Sequence, residues 1–400
     1  MVLAHRIEAL NDSITLKVNE MVIQRQESGE KIFNLTGGQL PFKPMEELTQ
    51  CIAAELNFLK SFQYAPVQGF VELRNKLKRQ VEDSRNISLD EKYDVQITNG
   101  SKQAIFNALG AIINPGDEVI VLTPYWVSYP EIVKFWGGEI KFVKNQDMGG
   151  HVPFLEDISE AIGKKTRAII INSPNNPSGI HYPVDWMKGL SEILSKNESI
   201  YIISDEIYFD LYYFDPVPSY FYQWNKSLLK RTIIVDGISK SMASTGLRVG
   251  YAIADNEIIQ GMSKLQAQST SATSSLMQMA LLAFDWDKSK MYLEPVKNHL
   301  RTNANILRKK LMDIGLESIW YQTNSAFYFL IDFSRTPIFE RYKSQGDCSS
   351  SICVDLLEEY GVAVVPGGDF GQPNSARMSL VIEEVLFREA LERLGQFLIK

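Results

Sequence analysis

The stretch "IIVDGISKSMASTGLRVGY", Ile233 to Tyr251, places Lys240 directly after a short β-like run and Arg248 eight positions further on. Small residues and hydroxyls surround the lysine. A β-branched run such as Ile233–Val235 reads as a strand covered on both faces. Lysine is among the side chains least often buried, so one standing where a buried strand ends calls for a reason at that strand's tip. In open α/β sheets the carboxyl ends of the strands are where ligands bind.

Working outward, the same texture recurs. The runs are "VQIT" (Val95–Thr98), "EVIVLT" (Glu118–Thr123), "RAIIIN" (Arg167–Asn172), "IYIIS" (Ile200–Ser204), "TIIVD" (Thr232–Asp236) and "VGYAIA" (Val249–Ala254). Helical stretches separate most of them between about residues 57 and 287. That alternation predicts βαβ units and a parallel sheet covered by helices on both faces. After Trp286 the texture changes to a long helical pattern from about Lys288 to Met312, then "SAFYFLIDF" (Ser325–Phe333), a helix near Ser349–Tyr360, "VAVVPGGDFG" (Val362–Gly371), "ARMSLV" (Ala376–Val381) and a closing helix at Glu384–Ile399. Fewer strands joined by helices predict a smaller α/β domain, which the first ~45 residues join.

The residues just past each run form a chemical inventory. "NGSKQA" after Thr98 offers a glycine, a hydroxyl and free amides at a helix start, the ingredients of an anion site. "TPYWVSYP" presents Tyr125 and Trp126; "SPNNPSG" presents Asn175 and Asn176; "DEIYFD" presents Asp205 with Tyr208; "GISK" presents Lys240. Asp205 also suits the N-cap of a helix over "EIYFDLYY", and Trp126 also suits a core.

Together these groups match the needs of pyridoxal phosphate: an amine for its aldehyde, a carboxylate for its ring nitrogen and donors for its phosphate. On that reading Asp205 holds the ring nitrogen, Tyr208 and Asn176 bond the phenolic oxygen, and Trp126 stacks on the ring. Ser101, Lys102, Ser239, Arg248 and the backbone of Gly100 and Ser101 surround the phosphate.

"YAPVQGFVELR", "NSPNNPSG", "SDEIY", "SKSMASTGLRVGY" and "ARMSL", in this order over nearly the whole chain, resemble the class I aminotransferases of the pyridoxal-phosphate fold-type I group. The segment from Asn99 to Gly138 is similar to the bacterial aspartate-aminotransferase branch. The resemblance implies an α/β fold: a mostly parallel seven-stranded sheet in a large domain, residues 47–287, and a smaller C-terminal α/β domain, residues 288–400, joined by the segment 1–46. It makes Lys240 the Schiff-base lysine and proton-transfer residue, with Asp205 and Tyr208 as its catalytic partners. Arg377 clamps the substrate carboxylate, assisted by Asn176, Trp126 and the backbone of Gly38. Tyr64 reaches the phosphate of a neighbouring subunit, which implies a homodimer with shared active sites, and "QSTSATSS" (Gln268–Ser275) crosses the same interface. "SITLKVN" (Ser13–Asn19) looks like that branch's substrate-covering arm, with Ser13, Thr15 and Leu16 near the cleft.

The expected reaction moves an amino group from an L-amino acid, L-aspartate first, to 2-oxoglutarate. Lys17 and Lys102 are candidate cations for a second carboxylate. Aromatic amino acids, prephenate and alanine are rival substrates. A carbon–sulfur lyase and a non-catalytic regulator are rival classes. A formal charge of −7 provides no basic field for nucleic acid or anionic lipid. No apolar run approaches the roughly 20 residues of a membrane span. Three cysteines without zinc-type spacing fit free thiols, and with no apolar leader visible the cytoplasm is expected. His5, His151, His181 and His299 are dispersed, so surface positions are expected for them and a metal site is not. Neither a phosphate-binding G-x-x-x-x-G-K loop nor a nucleophile elbow is present.

Overall fold

A computed structural model describes residues 4–8, 10, 14–145 and 150–400, the side chains of residues 5, 6, 14–17 and 19 excepted. The side chains of His5, Ser13, Thr15, Leu16 and Lys17, to which the sequence reading assigned places, lie outside these described residues.

Strands are β1 (Phe33–Asn34), β2 (Tyr93–Thr98), β3 (Glu118–Leu122), β4 (Glu139–Val143), β5 (Thr166–Asn172), β6 (Tyr201–Asp205), β7 (Thr232–Gly237), β8 (Gly250–Asp255), β9 (Tyr328–Asp332), β10 (Val362–Ala363), β11 (Val365–Pro366) and β12 (Ser375–Ser379). Seven of them form one sheet in the order β2-β8-β7-β6-β5-β3-β4. β8 runs antiparallel to β2 and β7, and the remaining pairings are parallel. The mostly parallel seven-stranded sheet expected from the sequence is therefore present.

Its central strands are apolar because both faces are packed. Along β5, Ala168 and Ile170 join one core cluster while Ile169 and Ile171 join the other. In β7, Ile233 and Val235 face the first cluster and Ile234 the second. Helix Ser101–Ile112 covers one face through Ala104, Ile105, Ala108 and Leu109; helices Val71–Arg85 and Val184–Ser195 cover the other. With side chains of successive residues alternating between two dry faces, polar chemistry is confined to the strand ends.

Of the seven strands in this sheet, β4 is the one the sequence reading did not single out. It is an edge strand with the pattern "EIKFV", exposed at Glu139 and Phe142 and paired on one side by β3. Charge on an edge protects it from pairing with other chains, and that same charge hides the apolar signal. The helix capped by Asp205 is not formed: a 3-10 turn at Phe209–Leu211 follows instead, and Asp205 Oδ1 accepts only from Ile207 N at 3.3 Å. Two histidines expected at the surface are buried. His151 packs edge-on against Tyr321, and the His181 ring meets Ser325 Oγ at 3.3 Å. Burial pulls His181 down to about 4, so it is neutral at physiological pH.

Beyond the seven strands, β11-β12-β9 form an antiparallel sheet, covered by helices Asp287–Asp313, Ser349–Tyr360 and Glu384–Leu398. β1 pairs parallel with β10, and Ser379 N donates to Leu35 O at 2.8 Å, so the N-terminal segment is stitched into this lobe. The lobes meet at Gly179, just past the Asn175–Asn176 turn. Its carbonyl accepts from Asn324 N and Ser325 N, both at 3.1 Å, and from Thr323 Oγ1 at 2.8 Å. Its φ is +71°, and a Cβ there runs into the Tyr328 carbonyl oxygen.

Gly179→Ala is therefore expected to destabilise the protein by about 2–4 kcal/mol, through left-handed strain plus the clash. Thermal unfolding checks this; an unchanged midpoint refutes the junction's importance.

Candidate active site

The carboxyl ends of β3, β5, β6 and β7 open into a cavity of about 370 Å³ beneath the small lobe. It is lined by Gly38, Ser101, Lys102, Trp126, Asn176, Asp205, Tyr208, Ser239, Lys240, Arg248 and Arg377, all singled out from the sequence. Gly100 lies directly behind them as the residue before helix Ser101–Ile112, with φ +81°. A Cβ on it meets the Arg248 guanidinium, so glycine lets that cation close over the helix start. Tyr64 is not in this cavity. It is 96% exposed and borders a separate surface hollow with Ala272, Thr273, Ser274 and Ser275. Tyr125 also turns away from the cavity, stacking on Phe142 with ring centres 5.0 Å apart.

Lys240 sits in a four-residue helical turn, Ile238–Ser241, immediately after β7. Its Nζ donates to Gly38 O at 2.5 Å and lies 5.6 Å from the Tyr208 ring centre and 5.3 Å from that of Phe327. Desolvation, then the charges of Arg377 and Arg248, pull its ammonium down to about 7, against the opposing pull of Asp205. Free amine is thus abundant near neutral pH, the condition for a lysine nucleophile. Asp205, at the tip of β6, is shifted the other way. Burial pushes its carboxyl up to about 6, and the hydrogen bond from Tyr129 is the largest influence holding it down. Tyr129 Oη donates to Asp205 Oδ2 at 2.6 Å.

Arg377 arrives from β12 of the small lobe. Its Nη1 donates to Asn176 Oδ1 and its Nη2 to Thr36 O, each at 3.1 Å, and its guanidinium stands 4.5 Å from the Tyr328 ring centre. Among the described residues its buried Nε has no hydrogen-bond partner. Across the cavity, Lys102 Nζ lies 4.9 Å from the Trp126 ring centre. Arg248 is held by Thr245 O at 2.9 Å and Asn99 O at 3.3 Å.

Sequence reading missed Tyr129 and Tyr328. Tyr129 lies three residues after Trp126, on the first turn of helix Ser128–Phe135, so helical spacing was the available signal. Tyr328 Oη lies 3.3 Å from Tyr208 Oη. Nothing local marks it among the apolar residues of "SAFYFLIDF".

The donor set fits pyridoxal phosphate. Two cations and two serine hydroxyls gather at a helix N-terminus, a natural phosphate seat. A buried carboxylate and a lysine with a depressed pKa stand at the far side, and an arginine nitrogen is left unpaired for an anion. Fold and site thus define an α/β enzyme of the pyridoxal-phosphate type.

The model of the aminotransferase class I and II family matches residues 30–394. The chain is similar to the aspartate/prephenate aminotransferase of Thermus thermophilus, 34% identical over 99% of this chain and 98% of that protein. It is 31% identical to the aspartate aminotransferase of Bacillus subtilis over the full length of both. Among solved structures, aspartate aminotransferase from Thermus thermophilus with maleate superposes with a TM-score of 0.89 at 34% identity, each chain fully covered. The chain belongs to the aminotransferase class I and II family. It is a pyridoxal-phosphate-dependent transaminase.

Tyr129→Phe removes the donor that keeps Asp205 ionised, so the carboxyl rises further above 6. Asp205 then gains its proton at higher pH, and the acid limb of kcat/KM moves up by about one pH unit. Cofactor affinity falls about tenfold or more. A pH–rate profile identical to that of the unaltered enzyme contradicts the role of this bond.

Proposed function

We propose that the protein transfers the α-amino group of L-aspartate to 2-oxoglutarate in a ping-pong cycle. The observation that carries this is the pairing of two cations across one cavity, Arg377 from the small lobe and Lys102 from the large one. A dicarboxylate has an anion for each. The relatives named for aspartate, similar over the full chain, support the same reading.

When bound, pyridoxal phosphate supplies an aldehyde that takes amines and a ring that draws electrons from the substrate's α-carbon. Asp205 would hold the ring nitrogen, with Tyr208 and Asn176 toward the phenolic oxygen and Trp126 against the ring. Ser101, Lys102, Ser239, Arg248 and the Gly100 backbone seat the phosphate. Arg377 grips the α-carboxylate as a planar fork, with Asn176 and the backbone of Gly38 beside it. That grip would fix the carboxylate away from the bond to be broken, which would favour loss of the α-proton over loss of carbon dioxide. Lys240 takes the proton at the α-carbon, and in the second half of the cycle returns one to the α-carbon of the incoming 2-oxo acid.

We also propose a homodimer in which Tyr64 completes the partner's phosphate seat. Leu59, Phe62 and Tyr64 are 73%, 67% and 96% exposed, beside the loop that ends at Ser275. So many apolar side chains facing water in one segment suit an interface. Sedimentation velocity should give a dimer, and Tyr64→Phe should weaken cofactor binding without changing the mass. A fully active monomer sinks this part.

We divide the chain at residues 46 and 287. The seven-stranded sheet falls within residues 93–255 and the β9–β12 sheet within 328–379, which supports that division. Among the described residues no helix is long and apolar enough to cross a membrane. Three unpaired cysteines support a place in the reducing cytoplasm, which cell fractionation checks.

A panel of amino donors against 2-oxoglutarate tests the substrate. Lys102→Ala should raise KM for aspartate about tenfold or more beyond its cost to alanine, because the weakened phosphate seat is common to both donors and the contact to a second carboxylate is lost for aspartate alone. An equal loss for both donors assigns Lys102 to the phosphate alone. Pyruvate released from a cysteine conjugate without any keto-acid acceptor favours the lyase instead.

A further inference from the structure

Behind the cavity lies a buried ionic group that the transfer chemistry leaves unused. Arg85, the last residue of helix Val71–Arg85, is 3% exposed. Its Nε donates to Glu206 Oε2 at 3.0 Å and its Nη2 to Asp236 Oδ2 at 2.7 Å. Its Nη1 donates to Ser84 Oγ at 2.7 Å, and the guanidinium lies 3.7 Å from the Phe209 ring centre. Both acids are buried too. Glu206 Oε1 accepts from Ser204 Oγ at 2.7 Å and Tyr222 Oη at 2.8 Å, while Asp236 Oδ1 accepts from Gly237 N at 2.7 Å.

Each acid adjoins a cofactor anchor. Glu206 follows Asp205 by one peptide bond. Asp236 ends β7 with Gly237, and its carbonyl oxygen accepts from Ser101 Oγ at 3.0 Å. Lys240 comes one helical turn later. A single guanidinium therefore ties together the two strand ends that present Asp205, Lys240 and, through one hydrogen bond, the phosphate seat.

The group is also electrically unbalanced, with two carboxylates against one guanidinium. Asp210, from the turn after β6, adds a further negative charge, and Tyr220, Tyr222 and Tyr251 face the group as neutral phenols. Desolvation pushes Asp236 up to about 7 even with Arg85 beside it. The charge of Glu206 in turn helps raise Asp205. Buried ion pairs of this kind add little to stability over apolar residues, yet removing one partner is severe. Such a group fits a task other than holding the fold.

We propose that Arg85 is a positioning residue for transamination: its two-pronged ion pair sets the spacing of the strand ends carrying Asp205 and Lys240 and fixes the charge behind them. The inference rests on the reading that those two residues hold pyridoxal phosphate.

The test compares holoenzymes of the unaltered chain, Arg85→Lys, Arg85→Met and Arg85→Met with Asp236→Asn. The readouts are kcat, KM for the amino donor, and the pH at which the bound cofactor's visible band changes. Arg85→Lys keeps the charge and loses the fork, so kcat falls several-fold with KM and the band's midpoint near their original values. Arg85→Met leaves Glu206 and Asp236 without their cation, displacing the midpoint by about one pH unit and lowering kcat about tenfold or more. Adding Asp236→Asn to it restores most of the midpoint. A lowered thermal midpoint with kcat and band titration unchanged reduces Arg85 to a brace and overturns the proposal. If Arg85→Met fails to fold, kcat unchanged in both Arg85→Lys and the double variant overturns it equally. Failure of the underlying cofactor reading looks different: the unaltered protein is then colourless with pyridoxal phosphate, or Lys240→Ala keeps the same colour.

Discussion

Asp205 and Lys240 are ionisable groups carried into a water-poor cavity by strands whose other side chains are packed on both faces. Desolvation acts on them in opposite senses, raising the carboxyl and lowering the ammonium. Each is then corrected by neighbours: Tyr129 restores anionic character to Asp205, while Arg377 and Arg248 push Lys240 further toward free amine. Coulomb attraction between acid and lysine opposes both shifts without cancelling them. The pair is therefore held away from a simple salt bridge, with an amine able to attack a carbonyl and an acid able to accept from a ring nitrogen. The seven-stranded sheet is what makes this possible, because only strands dry on both sides deliver such groups to one place without exposing them along the way.

Much of this was legible in the sequence because two-sided burial leaves a plain record. Unbroken apolar runs marked β2, β3 and β5 through β8, and the residues past their ends contained the cavity's main groups. Charge concealed β4, since an edge strand has only one side to protect. The reversed direction of β8 was not legible, because an antiparallel central strand is as apolar as a parallel one. Tyr129 and Tyr328 escaped for a different reason: a phenol in an apolar stretch reads as core until its hydroxyl is seen to touch Asp205 or Tyr208. Arg85 was beyond reach altogether. It lies 121 and 151 residues from the acids it binds, and nothing near it in the chain distinguishes it from the other cations of its helix. His181 misled in the opposite direction, a polar residue that burial keeps neutral.

Tyr64 stands apart from the cavity on an exposed segment. The segment before helix Val71–Arg85 is fastened from within: Gln266 Nε2 donates to Val67 O at 3.1 Å and to Ile97 O at 2.9 Å, Gln96 Nε2 donates to Val67 O at 2.9 Å, and Gln278 Oε1 accepts from Phe70 N at 2.9 Å. Gln278 also donates to Thr273 O at 2.8 Å, on the loop that borders the same hollow. Buried amides satisfied at both ends make a stiff support. Tyr64 is thus presented on a braced segment, and its exposure belongs to a rigid surface.

Arg377 completes the economy of the site. Asn176 and Thr36 hold two of its nitrogens before any substrate arrives, and the rings of Tyr328 and Phe370 flank it. Its third nitrogen, Nε, is buried and has no hydrogen-bond partner among the described residues, and a buried donor left unsatisfied costs about 1–3 kcal/mol. On the proposed assignment of Arg377, a carboxylate reaching that nitrogen removes the cost on binding, and part of the substrate's affinity then comes from relief of that penalty. Because the fork is already oriented, little of the remaining binding energy is consumed in ordering it. On the proposed assignment of Lys240, what is left goes into turning the α-carbon's C–H bond toward its amine.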